Sequence, residues 1–202
     1  MDFTRNIVAN IRKRFLKDDS FTIISNNCFG GFVYKKFNLQ YKSPFVGLYI
    51  LGPDYITLLE NFNIQLLKDI SFISSKDSKY REYLIRNNRY DKYPIGILDN
   101  DIEIHFLHYM TEEEAREKWL TRIERINNEK ILFKFSDNDL SNLELMKRFD
   151  KLPFKNKVCF TSKPYLDIKS SYYIRQCKDK ANVIDEWSYL STRKILKILN
   201  DL

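Results

Sequence analysis

Glu103 and His105 stand two residues apart in Ile102-Glu103-Ile104-His105-Phe106, a run that alternates polar and apolar side chains. That alternation is the period of a strand, so Asp101, Glu103 and His105 project from one face. A carboxylate beside an imidazole can orient it or raise its pKa, which is the arrangement of a general base. A solvent-facing edge strand, or a histidine bonded to backbone, produces the same pattern. His108 should point to the opposite face.

Two Asp-x-Asp pairs occur, Asp99-Asn100-Asp101 and Asp137-Asn138-Asp139. Paired carboxylates can hold Mg²⁺ or Mn²⁺ against the diphosphate of a nucleotide-sugar, because hard cations take oxygen ligands and bridge phosphates. A hairpin turn accounts fully for the first pair. The second follows the apolar run 131–135, where Asp137 could equally cap the next helix. Asp137 and Asp139 are therefore the metal candidates, and Asp137 joins His105 and Glu103 as a catalytic candidate.

Substrate contacts are expected from two further places. Ser25-Asn26-Asn27 ends the apolar run 21–24, and Gly30-Gly31 opens a stretch with helical spacing. A strand, a polar turn and glycines before a helix leave backbone N–H groups where a phosphate can sit, which makes Asn26, Asn27, Gly30 and Gly31 candidates. A tight strand-to-helix turn needs the same small residues, and the spacing is neither Gly-x-Gly-x-x-Gly nor a Walker loop. Lys118, Arg122 and Arg125 form a cationic stripe at helical spacing. Arg122 and Arg125 in particular can bind phosphate or anionic sugar, although such a stripe is also what a solvated, ion-paired face looks like. There is no Gly-x-Ser-x-Gly, and Cys28 has no histidine near it in sequence, so nothing supports a hydrolase.

The elements that must position these groups can be read from periodicity. Thr111 followed by Glu114 is a capping box that starts a helix with Ala115, Trp119, Ile123 and Ile126 inward. Residues 93–98 and 101–109 read as a hairpin turning at Asp99-Asn100. Residues 21–24, 44–51, 71–74, 131–135, 158–160 and 172–174 read as strands. Helices are expected at 1–18, after Gly52-Pro53, at 140–149 and at 190–202, with 76–92 a surface helix or loop. Strands separated by helices define an α/β domain, expected as one unit over 1–202: three layers, α/β/α, around a mixed, mostly parallel sheet that includes the hairpin. If the strands before Ser25, Ser136 and Thr161 are parallel neighbours, their exit loops share one crevice, where ligands of open α/β sheets bind.

The 202 residues carry a net charge of +7 with a pI near 9.1, which favours anionic partners. The cations are interleaved with acids and no aromatic-basic RNA-binding signature appears, which argues against nucleic acid and for an anionic small molecule. Phe3, Ile7, Ile11 and Phe15 line one face of the first helix among Arg5, Arg12, Lys13, Arg14 and Lys17. That pattern suits peripheral contact with anionic lipid, or packing on the protein's own domain. Three cysteines without a Cys-x-x-Cys pair suit a reducing cytosol, with a peripheral place at the inner face of the membrane open, and no run spans a bilayer. Oligomeric state is not legible.

Several blocks resemble one bacterial family: ISNNCFGG (24–31), YKSPFVGLYI (41–50), YPIGIL with DIEIHFLHY (93–109), EEAREKWLTRIERIN (113–127) and LPFKNKVCFTSKPY (152–165). They resemble the exopolysaccharide-biosynthesis proteins grouped as domain of unknown function 1919, over residues 20–185. The resemblance implies a three-layer α/β fold and a setting among capsule and exopolysaccharide functions, with transferase labels, acetyltransferase included, on some members. It carries over no catalytic residue. The family's exit loop reads Asp-Arg-Asp-Gly where this chain has Asp137-Asn138-Asp139-Leu140, so the arginine and glycine are replaced, and the sequence diverges from Tyr189 onward. The function expected is a glycosyl- or acyl-transferase acting on an activated sugar or sugar intermediate in polysaccharide assembly. The alternative is a non-catalytic accessory protein of that machinery, docked at the membrane.

Overall fold

The computed structural model describes residues 3–202, with the side chains of Phe3 and Asn100 outside the description. Met1 and Asp2, part of the helix expected over 1–18, also lie outside it. Helix α1 runs Phe3–Lys13, followed by β1 (Thr22–Ser25), α2 (Phe29–Lys36), α3 (Gly52–Glu60), β2 (Ser71–Ile73) and α4 (Arg81–Arg86). Then come β3 (Ile95–Leu98), β4 (Ile102–His105), α5 (Glu112–Ile123), β5 (Ile131–Ser136), α6 (Leu143–Lys151), β6 (Lys157–Thr161), β7 (Ser171–Tyr173) and α7 (Thr192–Asn200).

The α/β class expected from the sequence is the one found. Strands β1, β5, β6 and β7 form a parallel sheet in that order. The hairpin is not part of it: β2, β3 and β4 make a second, antiparallel sheet. A three-residue turn, Asp99–Asp101, closes the hairpin, with Asp101 at φ +60°. A turn of this length needs one left-handed residue, and aspartate tolerates that conformation better than most.

Alternation along the parallel strands divides the core. Ile24, Phe133, Phe135 and Cys159 face α3, α6, α5 and the second sheet. Ile23, Leu132, Val158 and Phe160 face α2 and α7. Helix ends are placed by side chains: Thr111 accepts from the Glu114 N–H at 3.1 Å, the expected cap of α5. Asn142, not Asp137, caps α6, accepting from the Leu145 N–H at 2.9 Å.

Residues 44–51 correct the sequence reading. They join no sheet, touching β4 only through one antiparallel bridge, Tyr49 to His105. Pro44 cannot donate, and Gly47 turns to φ +76°, so the pleat is broken although Phe45, Leu48, Ile50 and Leu51 are buried. The segment still ties two regions together, because the Ile50 N–H donates to the Asn26 carbonyl at 2.9 Å.

Gly96 in β3 sits where a Cβ would come within 2.8 Å of both Ile70 Cδ1 and Phe106 Cε2. Overpacking of this kind costs about 1–3 kcal/mol. Gly96→Ala should lower the urea midpoint accordingly with an unchanged m-value; an unshifted midpoint would show that the second sheet yields there.

Candidate functional site

β1, β5 and β6 are parallel neighbours, so their exit loops do meet at one edge of the sheet. What they build there is a buried polar network. Asn26 Nδ2 donates to Asn138 Oδ1 at 3.1 Å, and Ser162 Oγ donates to Asp137 Oδ2 at 2.8 Å. Asn27 Nδ2 donates to both carboxylate oxygens of Glu186, at 3.2 and 3.1 Å. Its Oδ1 accepts from the Phe29 N–H at 3.1 Å and from Lys134 Nζ at 2.7 Å. Asn27, one residue before the Cys28 N-cap, thus holds the turn that leads into α2. At the centre lies an ion pair, Lys134 with Glu186, both fully buried. Lys134 points to the α2 side of β5, with Phe29 and Phe160 rings within 5.5 and 5.9 Å of its ammonium. Burial lowers its pKa, and the Glu186 carboxylate opposes that shift. The sequence offered one signal for this, a lone lysine inside the apolar run Ile131–Ser136, and none for Glu186.

The two acids after β5 part company. Asp137 turns inward to Ser162, while Asp139 accepts from Arg89 Nη1 at 2.8 Å. Among the described residues no three His, Cys, Asp or Glu side chains converge as metal ligands. Asp137 and Asp139, each engaged elsewhere, do not form a pair that fits Mg²⁺ or Mn²⁺. The loop also holds Leu140 at φ +58°, a conformation that glycine adopts freely.

Glu103 and His105 do share a face, but it faces inward. The Glu103 carboxylate accepts from Ser78 Oγ at 2.6 Å and from the Lys79 N–H at 2.7 Å, and its own N–H donates to Asp54 at 2.7 Å. His105 Nε2 lies 3.7 Å from Glu103 Oε2, beyond hydrogen-bond reach. Neither ring nitrogen has a hydrogen-bond partner among the described residues, and both are buried. Burial, with the charges of Arg89 and Lys79, pushes the imidazole down to about 3, so it is neutral and the 3.7 Å approach is no ion pair. The Tyr93 ring stands edge-on at 5.7 Å, and the Arg89 guanidinium, 5.4 Å from the Tyr49 ring, links this group to Asp139. Asp139, Arg89 and the tyrosines therefore join the end of β5 to His105, while Asp137 faces away from it.

A cavity open to solvent lies elsewhere, between α2 and α5. Its volume is about 430 Å³, within the range of small-molecule sites. Gly31, Phe32 and Lys35 come from α2, Lys118 and Arg122 from α5, and Tyr41, His108 and Trp187 from loops. Three cations face it against one carboxylate, Glu114. Arg122 is braced: its Nη1 donates to the Tyr109 hydroxyl at 2.6 Å and to the Val46 carbonyl at 3.3 Å, and its guanidinium stacks 5.0 Å from the Tyr41 ring. Gly47 permits this closeness, since a Cβ there would come within 3.1 Å of the Tyr109 ring. Cys28 also lines the cavity, and burial pushes its thiol up to about 11, so it is no thiolate at neutral pH.

Of the residues read from the sequence, Gly31 and Arg122 reach this cleft, with Lys118 and His108 beside them. Gly30 packs instead on β1, where a Cβ would touch Ile23 at 3.4 Å, and Arg125 donates to the Tyr41 carbonyl at 3.4 Å as a brace. Asn26, Asn27, Asp137, Glu103 and His105 lie in the interior. Lys35, Tyr41 and Trp187 were missed, because only the fold brings a helix face, a loop and the 186–188 turn to one place.

The fold and its cleft define the class: a parallel-sheet α/β protein with a basic, ring-lined cleft against the helix that follows β1. The chain matches the domain of unknown function DUF1919 over residues 1–201, and it belongs to that family. It is 36% identical over 185 residues to a protein of Haemophilus influenzae described as "Uncharacterized protein", a match covering 92% of this chain and 82% of that protein.

Proposed function

We propose that this protein is a transferase acting on an activated sugar, a nucleotide-sugar or sugar phosphate, in the assembly of a surface polysaccharide. One observation carries the reading: Lys35, Lys118 and Arg122 converge with the rings of Tyr41, Phe32 and Trp187 on one cavity. Cations supply charge-assisted hydrogen bonds to phosphate, and a guanidinium braced in place loses little freedom on binding. Aromatic faces take the apolar faces of a sugar or a base. His108, an exposed imidazole on the same cavity, is the group placed to accept a proton from an acceptor hydroxyl. The polysaccharide setting is supported by the resemblance of the sequence blocks and not by the cleft.

Titration calorimetry with nucleoside diphosphate sugars tests it. The wild-type protein should bind at least one of them, and Arg122→Ala should weaken binding about tenfold or more, the worth of one charged contact. Because Arg122 also braces Tyr109, Lys118→Ala on the exposed helix face serves as a second variant and should weaken binding several-fold. Binding untouched by both substitutions would remove the cleft from the mechanism.

A further inference from the structure

Helix α1 carries its apolar residues outward. Ile7, Val8, Ile11 and Phe15 are 43, 39, 50 and 63% exposed, whereas Ala9 on the side toward α2 is 6% exposed. A helix that merely packed on its own domain would bury that stripe. Beside it, between α1 and α2, runs a groove of about 450 Å³ lined by Arg5, Arg12, Lys35 and Lys36, with no carboxylate among the described residues. These cations repel one another: Arg12 helps hold the Lys36 ammonium below its ordinary pKa, after burial.

An apolar stripe flanked by unneutralised cations has one natural complement, a surface with hydrocarbon beneath and negative charge above. The geometry points to α1 as a docking face for an anionic lipid bilayer, with Ile7, Ile11 and Phe15 entering the acyl boundary and Arg5, Arg12 and Lys36 meeting lipid phosphates in the groove. Among the described residues no helix is long and apolar enough to cross a membrane, so the contact is peripheral. Phe32 and Lys35 line both this groove and the cleft between α2 and α5. Docking would therefore set that cleft beside the lipid headgroups. The inference does not depend on the cleft's chemistry.

Co-sedimentation of the full chain with vesicles of 30% phosphatidylglycerol in phosphatidylcholine, and with phosphatidylcholine alone, tests it. Binding should be about tenfold or more tighter to the anionic vesicles and should fall steeply with salt, as surface charge is screened. Ile7→Asp/Ile11→Asp and Arg5→Ala/Arg12→Ala should each reduce it about tenfold or more. The substituted side chains are exposed or groove-lining, so the thermal midpoint should hold and show that each variant is folded. Three results would overturn the inference: no binding to anionic vesicles, binding that both variants retain, or a wild-type dimer in sedimentation velocity that Ile7→Asp/Ile11→Asp dissolves, which would give the face to a second copy of the chain.

Discussion

Glu186→Ala should lower the free energy of unfolding by about 3–5 kcal/mol, the usual cost of leaving one member of a buried ion pair alone. Lys134 would lose the carboxylate that offsets its burial, left with Asn27 Oδ1 at 2.7 Å, Asn26 Oδ1 at 3.4 Å and two phenylalanine rings. Asn27, which donates to both Glu186 oxygens, would lose its acceptors as well, and it holds the turn into α2. A domain of this size is stable by roughly 5–15 kcal/mol, so the loss is a large fraction of the whole. The double variant Lys134→Met/Glu186→Leu removes both charges and should recover most of the loss, since an apolar pair of similar volume is often no less stable. Urea unfolding of the three proteins checks this. A Glu186→Ala midpoint close to that of wild type would mean that the pair is not closed off from water.

The second large effect is acid lability. His105 holds its folded pKa at about 3, against an ordinary 6.5. Below pH 6.5 the unfolded chain takes up a proton that the folded chain refuses, so unfolding binds protons and stability falls as pH drops toward 3. The slope approaches about 1.4 kcal/mol per pH unit once the unfolded imidazole is charged. Between pH 6.5 and 5 the loss should reach about 1.6 kcal/mol, above the range where most carboxylates titrate. Glu103 works in the opposite sense, because burial raises its pKa and the folded chain takes up its proton first, so the upper part of the window is the cleanest. Unfolding free energies of wild type and His105→Gln at pH 7, 6 and 5 test it. The variant should show a flatter profile whatever its absolute stability, and parallel profiles would mean that His105 is not the group responsible.

How much of this was legible in the sequence follows from what each signal measures. The apolar runs before Ser25, Ser136 and Thr161 and their polar exits marked the strands, because period and turn chemistry are local, whereas the parallel order that makes the exits meet comes only from the fold. The Thr111 cap of α5 was readable for the same reason. Residues 44–51 were misread because an apolar run reports burial, and Gly47 at φ +76° turns a buried segment out of the pleat. Polarity misled in the same way at Asn26 and Asn27, whose amides satisfy Asn138 and Glu186 in the interior and leave the cleft to Gly31 and α5. Lys134 and Glu186 lie too far apart in sequence for any spacing rule to pair them. Periodicity in α1 revealed an apolar face, but only the tertiary arrangement shows that no described residue covers it.

The most direct test of the central claim is a crystal structure of the protein with a nucleoside diphosphate sugar bound. The expected result is the diphosphate within hydrogen-bond reach of Arg122 and Lys118, with the base or sugar against the Tyr41 or Trp187 ring. A ligand seated at Arg89 and Asp139, or over the exit loops of β1 and β5, would contradict it.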